Sequence, residues 1–329
     1  MLLSDDVISN LYGYVMPRTD RIERRIKLHD LQALMTVAQA GSMGKGAQLL
    51  NTSQPAISRS IADLEHAVGQ RLLDRSRRGV ELTKYGRALL NCGSAMFDDL
   101  RQGLKQLEFL ADPTVGEIRI GGNEAVVAGL LATVYERLRR RYPKIAIHVT
   151  QIPVVSQQIR ELRERKVDLI FGRIGQSIEP DIAAEVLFHD RTFVVASPEN
   201  KWSRRRKIKL ADLADDTWAL SPPDTLIGSA IAEAFRASGV DPQRRSVATG
   251  SIHLQTALLA SGPFLIVIPG SVLRFSKNLP PLKVLPVDLP VPAWPFGIMT
   301  LKNRPIGPAV QLFIDCAREV AKPLARLAP

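Results

Sequence analysis

Gln54, Ser58 and Arg59 are spaced to project from one face of a helix, and all three are residue types that hydrogen-bond base edges or phosphates. Shortly downstream, the run RLLDRSRRGVELT supplies Arg71, Arg75, Arg77 and Arg78, followed by Lys84 and Arg87, with only Asp74 and Glu81 as counter-charges. Guanidinium groups at this density suit phosphate contacts, although a solvated charge run would have the same composition. The residues of catalytic chemistry are arranged differently. The five histidines, His29, His66, His148, His189 and His253, are scattered, and Cys92 and Cys316 are far apart, so neither a metal-ligand spacing nor a disulfide framework emerges. The sequence contains no G-x-S-x-G elbow, P-loop, H-E-x-x-H or dinucleotide glycine fingerprint. Gly121-Gly122 is only a faint echo of a phosphate loop. These features argue against an enzyme and imply no cofactor.

What must position the polar face at 54–59 is a set of short helices. From Leu28, apolar residues recur at three- and four-residue steps until Gly41, a natural C-terminal stop. Ser42 is placed to cap a second, short helix over 43–50, and Asn51-Thr52 to form a turn. Ser53 is placed to cap a third helix, with Pro55 in its first turn, where a missing N–H costs nothing. Ala47, Leu50, Ile57, Ile61 and Leu64 can form a small core, and Gly46 and Ala47 allow the two helices close approach. The basic run alternates apolar and polar residues around Gly79, which predicts a two-stranded wing. The pattern is a winged helix-turn-helix, and the candidate DNA-contacting set is Ser42, Ser53, Gln54, Pro55, Ser58, Arg59, Arg75, Arg77 and Arg78.

The landmarks Ala40-Gly41-Ser42, Ser53 through Arg59 (SQPAISR), Leu64-Glu65 and Gly79 through Thr83 (GVELT) occur in the order found in LysR-type regulators, and residues 26–85 closely resemble the DNA-binding domain of that family. Met43 stands where the family often has Phe, Val68 where it often has Leu, and Gly46 where it often has a second alanine. These departures are conservative in packing. The family's pattern does not include the segment before about residue 25. The resemblance implies sequence-specific binding of double-stranded promoter or operator DNA.

From 83 to 110 there is no proline, and Tyr85, Leu89, Cys92, Met96, Leu100, Leu104, Leu107 and Leu110 step by three or four. This predicts one long amphipathic helix with a coiled-coil-like seam. Gly86, Gly93 and Gly103 weaken its propensity, so it needs a partner surface, either in its own domain or in a second chain. The resemblance implies a homodimer through this linker helix. Whether dimers join into a homotetramer is left open.

Beyond Asp112-Pro113 the pattern changes to alternating strands and helices, which predicts an α/β region with mostly parallel sheets. The resemblance implies a pair of subdomains like those of periplasmic solute-binding proteins, with a small-molecule effector in the cleft between them. The expected organisation is an extension at 1–25, a DNA-binding domain at 26–83 with its helix-turn-helix at 43–62, a linker helix at 84–112 and a regulatory domain at 114–329. Within the last, subdomain 1 takes about 114–190 and 293–329, and subdomain 2 about 191–292. Strand ends and helix starts nominate the cleft residues. They are Asn123, Glu124 and Ala125; Pro153, Val154, Val155 and Ser156; Arg173; and Ser221, Ser251, Ile252 and Pro269. Ser156 and Ser251 read equally well as helix caps. Arg173 suits a carboxylate or phosphate, making an anionic effector the sharper expectation, with a surface salt bridge as its alternative. The segment 252–269 resembles the branch of the family that regulates galactose-binding proteins or aromatic-acid catabolism, which implies a sugar or an aromatic acid.

A net charge of +11 and a pI near 9.9 permit a polyanionic partner without requiring one. The basic run from Lys201 through Lys209 reads as a solvated loop, since no docking element surrounds it. No stretch approaches the apolar length of a membrane span, and the acidic start MLLSDD is unlike a secretion signal, so a cytoplasmic location is expected. An exported solute-binding protein would explain the C-terminal two-thirds alone, but not the N-terminal DNA-reading pattern.

Overall fold

The computed structural model describes residues 25–76, 79–124, 127–175, 177–239 and 246–325. Arg77, Arg78, Ala125 and residues 1–24 of the expected extension lie outside that set. The chain divides into two compact units, Met1–Leu100 and Arg101–Pro329.

In the first unit, α1 (Leu28–Ala40), α2 (Met43–Leu49) and α3 (Gln54–Val68) begin and end where local chemistry dictates. Gly41 adopts φ +70°, and its N–H reaches the Val37 carbonyl. The Ser42 hydroxyl accepts from the Lys45 amide at 3.2 Å, and that of Ser53 from Ala56 at 3.3 Å, so each satisfies one orphan N–H of its helix. Leu31, Leu34, Val37, Ala47, Ile57, Ile61 and Leu64 close the core, with Leu50 packed at its margin. Gly46 acts on a different helix from the one expected. A Cβ there would stand 2.8 Å from Val37 Cγ2, so its smallness seats α2 against α1.

Two strands, β1 (Leu73–Ser76) and β2 (Gly79–Leu82), form an antiparallel hairpin with Leu73 opposite Leu82. Glu65 on α3 anchors it by accepting the amides of Leu72 at 2.8 Å and Leu73 at 3.3 Å. Next comes α4 (Lys84–Ala111), whose first turn is capped by the Thr83 hydroxyl, accepting from the Gly86 amide at 3.0 Å. Gly86 is required by contact: a Cβ there would lie 2.0 Å from the Leu72 carbonyl oxygen. Along α4, Met96, Leu100, Leu104, Leu107 and Leu110 stay exposed in the single chain, Leu110 to 71%.

The second unit holds two five-stranded sheets. The first contains β3 (Val115–Gly122), β4 (Lys144–Gln151), β5 (Leu169–Arg173), β6 (Ile182–Asp190) and a late strand, β12 (Trp294–Leu301), in the order β4-β3-β5-β12-β6. The second contains β7 (Thr192–Ala196), β8 (Thr217–Leu220), β9 (Ser246–Ala248), β10 (Phe264–Pro269) and β11 (Lys283–Val284), in the order β11-β7-β10-β8-β9. Both sheets are mixed, which corrects the expectation of mostly parallel pairing. The pairs β3·β4, β3·β5, β8·β9 and β8·β10 are parallel, whereas β12 runs antiparallel to β5 and β6, and β7 to β10 and β11. The reason is topological. The chain leaves the first sheet at the end of β6 and re-enters it at the start of β12, and Trp294 pairs with Asp190, so the outgoing and returning strands lie side by side in opposite directions.

Flanking helices are α5 (Ala132–Arg141), which follows a π-helical turn at Val127–Leu131; α6 (Val155–Arg163); α7 (Leu226–Ala237); α8 (Ile252–Ala260); α9 (Gly270–Phe275); and α10 (Pro308–Ala325). β6, β11 and α9 were not anticipated. The first lobe packs Ile118, Ile120, Phe171, Phe296 and Phe313 together, with edge-to-face rings at 5.1 Å (Phe171/Phe296) and 5.6 Å (Phe171/Phe313). The second lobe centres on Trp218 against Phe235 at 4.8 Å, with the indole N–H donating to the Leu213 carbonyl at 3.3 Å. Such aromatic pairs add about 0.5–1.5 kcal/mol each beyond the burial of their area.

Candidate DNA-reading helix and effector cleft

On α3, the first two turns present Gln54, Pro55 and Arg59 to solvent, with Ser58 half-buried. Arg75 on β1 is also exposed. Ser42 and Ser53 are occupied as caps, which leaves their hydroxyls a second hydrogen bond to give. The opposite face of α3, through Ile57, Ile61 and Leu64, is sealed in the core. The helix thus offers a polar strip on a rigid support.

In the second unit, a cavity of about 310 Å³ opens between the two sheets. Asn123, Glu124 and Arg173 from the first lobe line it, facing Ser221, Ile252 and Pro269 from the second. Sequence reasoning had named all six, and Pro153 as well. It missed Gln151, Thr225, Ile227, Gly250 and Val267. A signal existed for Thr225: it caps α7, accepting from Gly228 N at 3.2 Å, and follows the turn Pro222-Pro223-Asp224. Of the nominated residues, Val154, Val155, Ser156 and Ser251 do not line the cavity. α6 starts at Val155 with Val154 as its N-cap, so Ser156 is exposed within its first turn rather than capping it, and Val155 packs on the Ile152–Ile159 cluster. Ser251 does cap α8, accepting from Leu254 N at 3.3 Å. Its hydroxyl donates in turn to Glu124 Oε1 at 3.1 Å, and the His253 amide approaches the same oxygen at 3.4 Å. This carboxylate therefore spans the cleft from one lobe to the helix start of the other.

Arg173, at the end of β5, is only 7% exposed, and it forms no salt bridge with any described residue. Its Nε and Nη2 are buried without a hydrogen-bond partner among the described residues. Burial pushes this guanidinium below its ordinary pKa, opposed only by the charge of Asp190. The Asp190 oxygens are already taken: they accept from the Ser271 amide at 3.0 Å and its hydroxyl at 2.6 Å. Burial raises the Asp190 carboxyl above the usual range, despite the Ser271 hydrogen bonds and the Arg173 charge. A charged donor group held in a cavity wall with unmet hydrogen-bonding capacity is set up to receive an anion.

Other chemistry is sparse. Cys92 is exposed and Cys316 buried. Among the described residues no group of His, Cys, Asp and Glu is arranged to hold a metal ion, and no helix is long and apolar enough to cross a membrane.

Comparison with known proteins agrees with this division of labour. Residues 28–87 match the family of bacterial regulatory helix-turn-helix proteins of the lysR family, and residues 111–322 match the LysR substrate binding domain. The chain is 27% identical over 301 residues to the HTH-type transcriptional regulator GbpR of Azospirillum brasilense, covering 90% of this chain and 87% of that one. It is 25% identical to the transcriptional dual regulator GltC of Bacillus subtilis, covering 88% and 96%. Among solved structures, a full-length OxyR variant from Pseudomonas aeruginosa matches with a TM-score of 0.66 at 21% identity, covering 92% of this chain and 99% of that one. The LysR family regulator CbnR matches with a TM-score of 0.59 at 22% identity, covering 90% and 99%.

Proposed function

This chain belongs to the LysR family, DNA-binding transcription regulators with an effector-binding domain rather than enzymes, and from that premise we propose that a small anionic effector, bound at Arg173 between the two lobes, controls its hold on a promoter site. The buried guanidinium with two unmet donors is the observation that carries the reading. An effector changes an equilibrium only if it binds one lobe arrangement better than another, and an anion bridging Arg173 to the Ser221–Thr225 wall would do so in the closed one.

DNA is read by α3 through Gln54, Ser58 and Arg59, with Ser42, Ser53 and Pro55 at the helix starts and Arg75, Arg77 and Arg78 of the wing on phosphates. Two chains pair along the exposed seam of α4, which would set two recognition helices on a near-palindromic site. The protein acts in the cytoplasm, where its DNA is.

The test is a gel-shift titration on the DNA upstream of its own gene, against scrambled competitor at fixed salt. The wild type should hold the specific DNA in excess competitor, and Arg59→Ala should weaken it by about 1–3 kcal/mol with the fold intact. Unchanged affinity in that variant would remove Arg59 from the interface.

A further inference from the structure

We infer that the ligand of the cleft is a zwitterion, a small α-amino-acid-like molecule with its carboxylate on Arg173 and its ammonium on Glu124. The inference rests on the anionic-effector reading above and specifies its chemistry. The cavity wall carries both charges, one from each residue, and among the described residues no other charged side chain lines it. Arg173 supplies two buried donors with nothing to give to among the described residues. Glu124 is only half engaged. Oε1 takes the Ser251 hydroxyl and approaches the His253 amide, while Oε2 has no partner among the described residues.

Ligand entry removes water from both groups. A plain monoanion would satisfy Arg173 but leave the Glu124 carboxylate desolvated, and a dianion would add a like charge beside it. A ligand carrying separated charges of both signs compensates both residues and leaves the closed cleft neutral. Charge-assisted hydrogen bonds are about twice as strong as neutral ones, so at Oε2 an ammonium is favoured over a hydroxyl in the same position. The rest of the lining is divided between polar residues, Asn123, Gln151, Ser221 and Thr225, and an aliphatic part, Pro153, Ile227, Ile252, Val267 and Pro269, which receives the ligand's apolar portion. A volume of about 310 Å³ restricts the ligand to a small molecule. Because Glu124 already holds the start of α8 from across the cleft, an ammonium on Oε2 ties the ligand to the same lobe-to-lobe contact.

The test is calorimetric titration of the full-length protein with the twenty L-amino acids, the matching 2-hydroxy acids and linear dicarboxylates. At least one amino acid should bind about tenfold or more tightly than its 2-hydroxy analogue. Glu124→Gln keeps an oxygen for Ser251 and should abolish that preference, weakening the amino acid and strengthening the 2-hydroxy acid, whose entry no longer desolvates a carboxylate. Arg173→Met should lose both. If 2-hydroxy acids or dicarboxylates bind the wild type as well as or better than every amino acid, and Arg173→Met abolishes that binding, the zwitterion is overturned and the anion site stands. If no compound in the panel binds, or Arg173→Met leaves binding unaltered, both readings fall.

Discussion

Replacing Arg173 by Met should make the unliganded protein more stable while removing its response to effector. The guanidinium is buried, its Nε and Nη2 have no partner among the described residues, and burial has already lowered its pKa. An unmet buried donor costs about 1–3 kcal/mol, and more when charged. Two are lost in the substitution. Against this stand the attraction of Asp190 and the packing of the arginine stem. Met retains most of that stem's volume, and Asp190 keeps its hydrogen bonds to Ser271, so it is not left bare. The balance is a gain of about 1–3 kcal/mol for the apo protein. The assay is urea denaturation at one fixed protein concentration, since oligomerisation contributes by mass action. The midpoint should rise at constant slope. A midpoint lowered by the equivalent of about 1 kcal/mol or more would refute the reasoning, because Arg173 would then be a structural residue whose partners are real.

Three further outcomes follow from other parts of the molecule. Leu100→Glu, at a position 51% exposed in the single chain, should leave the helical content intact yet shift sedimentation toward monomer; an unchanged oligomer would move the interface off this seam. Gly86→Ala gains about 1 kcal/mol in helix propensity but drives a methyl into the Leu72 carbonyl, so unfolding of the DNA-binding unit should come out about 2 kcal/mol easier, and a neutral result would mean the contact relaxes freely. Asp168 is buried, which raises its carboxyl, but Arg119 and Arg304 more than offset this and hold it below the ordinary 3.8. Its stabilising contribution is therefore present above that value and lost as pH falls below it through the folded-state pKa. Asp168→Asn should cost about 3–5 kcal/mol at neutral pH and flatten this acid dependence, as read from urea midpoints across pH.

Local chemistry was the legible part. Ser42, Ser53 and Gly41 punctuate the helices as their types predict, because caps depend on backbone within four residues. The apolar run Phe264–Pro269 is a central strand of its sheet for a similarly simple reason, being apolar throughout. β6 was missed because Ala183, Ala184 and Glu185 break its alternation, and its pairing with β12 is over a hundred residues away in the chain. Ser156 was misplaced because α6 is capped at Val154, which puts Ser156 inside the first turn and outside the cavity lining. The type and strand-end position of Arg173 could be read. Its burial could not, since that depends on β12 arriving from the far end of the chain to cover β5.

The paired crossing at Asp190 and Trp294 also has a mechanical meaning. Two adjacent antiparallel strands share hydrogen bonds along their length, so they resist sliding past each other more than they resist twisting. Relative movement of the lobes then has essentially one soft degree of freedom, a rotation about that ribbon. Asp190, at its end, is held by Ser271 of the second lobe and lies within electrostatic reach of Arg173. Arg173 is thus placed beside the pivot, on a short lever arm, and a molecule bound there would turn a small displacement into a larger one at the distant rims. What the regulator transmits is accordingly an angle, set by how far a bound molecule lets the pivot turn.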